Sequence, residues 1–83
     1  MTQAILQEIA VLQEMVREQV PEARFTLEQG AGERDVWSLY VYTPTGNMQM
    51  PANIMGRLDD IWRKYRVTVI AVVYPLSLYE EQA

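Results

Sequence analysis

Any chemistry in this chain has to be done without histidine or cysteine, because its 83 residues contain neither. The commonest general base and the commonest transition-metal ligand are therefore missing. Thiolate catalysis, disulfides and cysteine-bound zinc are excluded with them. Carboxylates remain. Asp59 and Asp60 are adjacent, and neighbours on a helix point about 100° apart, so the two cannot converge on one substrate. Glu33 and Asp35 sit in or beside a glycine-containing turn, where solvation is the simpler role. Carboxylate ligands alone would suit Ca²⁺ or Mg²⁺, but no EF-hand spacing is present. Ser38 and Ser77 have no histidine to activate them. Lys64, the sole lysine, falls at the end of a helical pattern, where positive charge is favourable. A nucleophilic lysine first needs burial to lower its pKa. Gly30-Ala31-Gly32 has Gly-x-Gly spacing, yet it joins two strands rather than a strand to a helix, so a hairpin turn is expected and not a phosphate cradle. The expectation is a non-enzyme with no catalytic residue, no metal and no cofactor.

The elements that would have to position a site can be read from periodicity. Over residues 1–20, Ile5, Ile9, Leu12, Val16 and Val20 recur at helical spacing, which sets them on one face. Pro21 ends that helix. Ala4, Val11 and Met15 form a second, narrower apolar stripe on it. This stripe either contacts a neighbouring element or serves as a second interface. Residues 23–29 alternate as a strand, with Phe25 and Leu27 on one face. Residues 35–43 form the next strand, with Trp37, Leu39 and Val41 on one face and Val36, Ser38, Tyr40 and Tyr42 on the other. Pro44-Thr45-Gly46-Asn47 closes it with a turn. Pro51 suits the first position of a helix, and Ile54, Leu58, Ile61 and Tyr65 then repeat at helical spacing. Gly56 interrupts this helix, and close packing of helix against sheet would explain it. Residues 66–75 are the most continuous β-branched run in the chain and are expected to be the buried strand on which the rest packs. Residues 76–83 are either a frayed tail or a short helix; Ser77 and Glu80 have the capping-box spacing.

The order helix-strand-strand-helix-strand predicts an α+β fold. It is a two-layer sandwich of a three-stranded sheet with two helices on one face, occupying residues 1–83 as a single small domain. If the last strand lies beside the second, the connection between them is a parallel crossover. If it lies beside the first, the two are antiparallel. One register of the last strand turns Val67, Val69, Ala71 and Val73 to the helices and leaves Thr68, Ile70, Val72 and Tyr74 on the other side; the opposite register exchanges the sets. Either way the second sheet face is not polar, since Tyr40 and Tyr42 join it. Exposed apolar patches of a few hundred Å² or more usually mark an interaction site.

Three coverings compete for that face: a second copy closed by a two-fold axis, a different protein, or a helix or tail of the same chain. The expected role is a small cytosolic protein acting through protein–protein contact, chiefly as a homodimer. Tyr40, Tyr42, Ile70, Val72 and Tyr74 are the partner-binding residues, and Ala4, Val11 and Met15 are the second candidate interface. An alternative is a ligand- or single-stranded nucleic-acid-binding module that stacks bases on the sheet tyrosines. The RNP pattern and the KH-type Gly-x-x-Gly clamp are absent, however. A net charge of −4 also disfavours phosphate. A further alternative is an acidic inhibitor of a nucleic-acid-binding protein, although the eleven carboxylates are scattered along the chain. No apolar run reaches the roughly 18–20 residues needed to span a bilayer, and the N-terminus lacks the pattern of a signal peptide.

Overall fold

The computed structural model describes residues 2–30 and 36–82. Helix α1 (Thr2–Gln19) buries four of the five periodic residues: Ile5, Ile9, Leu12 and Val16 are each 2% exposed or less, while Val20 follows the helix and is partly buried against the core. A hairpin follows, made of β1 (Arg24–Gln29) and β2 (Val36–Thr43), antiparallel, with Phe25 opposite Val41 and Leu27 opposite Leu39. The Gly30–Gly32 turn, with Glu33 and Asp35, lies outside the described residues except for Gly30, whose N–H donates to the Val36 carbonyl at 2.8 Å. The turn after β2 is closed by the Gly46 N–H donating to the Thr43 carbonyl at 3.1 Å. Gly46 has φ +72°, and a Cβ there would also stand 3.1 Å from the Pro75 ring.

Helix α2 (Ala52–Tyr65) starts one residue later than expected. Pro51 is extended and precedes the first turn, where its carbonyl accepts from the N–H groups of Ile54 and Met55. Arg66 ends α2 in the left-handed conformation, φ 58°, its N–H donating to the Trp62 carbonyl at 2.8 Å. Strand β3 (Thr68–Pro75) and a short helix α3 (Leu76–Gln82) complete the chain. The tail is therefore helical, and Ser77 lies inside the helix rather than capping it.

The sheet order is β1-β2-β3, with β2 and β3 parallel, Leu39 opposite Ala71 and Tyr42 opposite Tyr74. This corrects the expectation for residues 66–75. The central strand is β2, and β3 is an edge. Its β-branched run does not reflect strands on both sides. It reflects one face turned to the helices and another that is still apolar. Helix α1 covers the β1 side, where the Arg17 guanidinium lies 5.0 Å over the Phe25 ring, and α2 packs on α1 and on β3. Between helices and sheet, Leu39, Val41, Ile54, Ile61, Val67 and Val69 join the α1 residues in one core.

Gly56 is a second correction. It is exposed, and a Cβ built on it meets nothing within 4 Å. Close helix–sheet packing does not explain it, because α2 turns Gly56 to solvent and Ile54 and Ile61 to the core.

Candidate interaction surface

The register of β3 sends Val69, Ala71 and Val73 to the helices and Thr68, Ile70, Val72 and Tyr74 to the second face. Across that face the chemistry is graded. The β1 third carries Arg24, Thr26 and Glu28, whereas the β3 third carries Ile70, Val72 and Tyr74. Ile70 is 46% exposed and Tyr74 37%, while Tyr40 and Val72 are half-buried.

Tyr42 behaves differently from its neighbours. It lies on the second face as the sequence predicts, but it is only 2% exposed. Helix α3 turns back under the sheet and brings the Tyr79 ring to 5.2 Å from the Tyr42 ring, with Tyr74 at 6.0 Å on another side. The Tyr42 hydroxyl lies 3.1 Å from Thr26 Oγ1. Tyr42 is thus the inner member of a small second core and presents no free surface. Tyr40 and Tyr74 stack at 5.8 Å, with Tyr74 still 37% exposed. Part of the face is therefore covered by the chain itself, and the open remainder is Ile70 with the flanks of Tyr40, Val72 and Tyr74. The sequence could not divide the face in this way, because a seven-residue tail gives too few helical turns to show which side it favours.

The stripe of Ala4, Val11 and Met15 lies on the flank of α1 that also carries Glu8. Glu8 reaches across to Arg57 of α2 at 2.7 Å. Met15 packs against the core, Ala4 is half-buried and Val11 is 38% exposed. The Glu8–Arg57 ion pair ties this flank of α1 to α2. Next to it, an open groove of about 520 Å³ is lined by Glu8, Arg57, Asp60, Arg63 and Lys64. Its charges are largely answered within the chain: Arg57 by Glu8, and Arg63 by Asp59 at 2.9 Å. Asp59 and Asp60 do not face a common point.

The sequence adds Met55 and Trp62 to the apolar stripe of α2, but the structure puts them on its outer flank and not in the core. Met55 is 58% exposed and Trp62 46%, seven residues apart and hence nearly aligned along the helix. The Arg66 guanidinium lies 4.5 Å over the Trp62 ring. The signal was present, since Met55 and Trp62 widen the apolar stripe of this helix, but widening alone does not separate a core residue from a surface one.

Among the described residues, no group of three or more carboxylates is placed to hold a metal ion. No helix among them is long and apolar enough to cross a membrane. Comparison with protein-family models, with curated proteins and with solved structures gives no match.

Proposed function

We propose that this is a cytosolic, non-catalytic protein that works through protein–protein contact and associates with a second copy of itself through the β3 side of the sheet. The observation that carries the reading is the open apolar strip on β3, with Ile70 and Tyr74 both more than a third exposed in a chain of only 83 residues. A chain this short buries a modest fraction of its surface alone, so self-association adds stability that its core lacks room to supply. Burial of such a strip contributes about 25 cal/mol per Å² removed from water, set against the cost of association. A chain without cysteine gains nothing from an oxidising compartment. The base-stacking alternative is disfavoured by the net charge of −4.

Sedimentation equilibrium tests the reading. The wild-type chain is expected to show a concentration-dependent mass rising from 9.6 kDa toward twice that value. Ile70→Lys is expected to hold it near the monomer mass. A wild-type chain that stays monomeric at high micromolar concentration would refute the reading. Tyr42, buried beneath Tyr79, is not a usable surface probe.

A further inference from the structure

We infer that β3 is an assembly edge: it pairs antiparallel with β3 of a second copy about a two-fold axis, joining two three-stranded sheets into one of six strands. The inference rests on the self-association proposed above and specifies its geometry.

Three observations converge on this edge. First, β3 is hydrogen-bonded to β2 on one side only, and no other described strand pairs with it. An edge strand presents a row of free N–H and C=O groups and is usually blunted by charge, a bulge or brevity. Strand β3 runs eight residues, Thr-Val-Ile-Ala-Val-Val-Tyr-Pro, with no charged side chain and a proline only at its last position. Second, apolar surface stands on both sides of the same edge. On the second face lie Ile70 and Tyr74. On the helix side lie Met55 and Trp62, on the flank of α2 turned away from α1 and therefore over the β3 side of the sheet. An added strand would cover both patches at once, whereas stacking of two second faces would leave Met55 and Trp62 in water.

Third, the charge pattern selects a second copy as the occupant. A two-fold axis sets residue i of one strand against residue j of its duplicate and j against i, so a charge near the axis meets its own like at close range. None of the eleven carboxylates and none of the seven basic residues falls within β3, which makes it a stretch where a chain of net charge −4 can meet itself without repulsion. On the rim above, Asp59 is paired with Arg63, and the charge beside Trp62 is the Arg66 guanidinium that lies on its ring. The crossover reinforces the match. Helix α2 leads into the start of β3, so Trp62 lies toward that start, as its contact with Arg66 shows, and Met55 toward the far end. Antiparallel pairing brings the start of one β3 to the end of the other, and so sets Trp62 of each copy toward Met55 of its partner.

The test combines a variant with amide exchange on the full chain. Trp62→Glu changes an exposed side chain, with circular dichroism as the check on folding. It is expected to weaken association about tenfold or more, as loss of an aromatic anchor from an interface does. Hydrogen–deuterium exchange of the wild type, read at low and high protein concentration, is expected to show alternate β3 amides gaining protection as concentration rises. If the chain dimerises and Ile70→Lys dissociates it, but β3 amides gain no protection, the two faces stack and the edge pairing is overturned while self-association stands. If the wild type is monomeric throughout, both fall.

Discussion

Among the described residues the sheet has two edge strands, and they are built differently. At one, β1 is six residues long and places Arg24 and Glu28 on the face away from the helices. At the other, β3 is eight residues long and places Ile70, Val72 and Tyr74 there. The helices above differ less. Helix α1 exposes Leu6 and lays the Arg17 guanidinium on Phe25; α2 exposes Met55 and Trp62, with the Arg66 guanidinium on the Trp62 ring. One edge carries the charges that discourage a neighbouring strand, and the other lacks them. The exposed large apolar residues of this small chain are not spread evenly over the two strands: Leu6 and Val11 lie on α1, whereas Ile70 and Tyr74 lie on β3 itself and none lies on β1.

Several substitutions would sharpen or break that contrast. The largest effect is expected from Leu39→Ala. Leu39 lies on the central strand between Leu27 and Ala71 and is 2% exposed, so its truncation should cost about 2–5 kcal/mol in denaturant unfolding. It supports both edges, so no preference between them should appear. Gly46→Ala comes next. Its φ of +72° and its approach to Pro75 should cost about 1–2 kcal/mol by thermal or chemical melting, loosening the β3 side at its end. Tyr79→Ala removes the ring over Tyr42 and should cost about 0.5–1.5 kcal/mol. It would also uncover Tyr42, extending the apolar strip toward β2 and raising dye binding to exposed apolar surface. The smallest effect, and the only stabilising one, is expected from Gly56→Ala. This position is exposed with open space around it, and the change should add about 0.5–1 kcal/mol while leaving association untouched.

Much of this architecture was legible in the sequence. Helical spacing marked Ile5, Ile9, Leu12 and Val16 as core, and strand alternation put Phe25, Leu27, Leu39 and Val41 on the helix side, because burial on one face imposes those periods. The place of β3 in the sheet was not legible, since a β-branched run looks alike in a central strand and in an edge strand with two apolar faces. Gly56 was misread for a related reason: a helix glycine signals close approach only when it lies on the packed face. The candidate surface was half legible. Ile70, Val72 and Tyr74 followed from register, but the burial of Tyr42 depended on where seven residues of α3 fold back. The Met55–Trp62 flank emerged only once α2 had been placed beside β3.

The claim that the β3 side carries the contact is tested most directly by sedimentation equilibrium of Ile70→Lys against Glu28→Lys, one lysine at each edge. Both substitutions reduce the net charge of −4, so general repulsion cannot account for a loss of association in either. The lysine on β3 is expected to raise the dimer dissociation constant about tenfold or more, while the lysine on β1 leaves it within about twofold. Equal weakening by both, or a loss confined to Glu28→Lys, would contradict it.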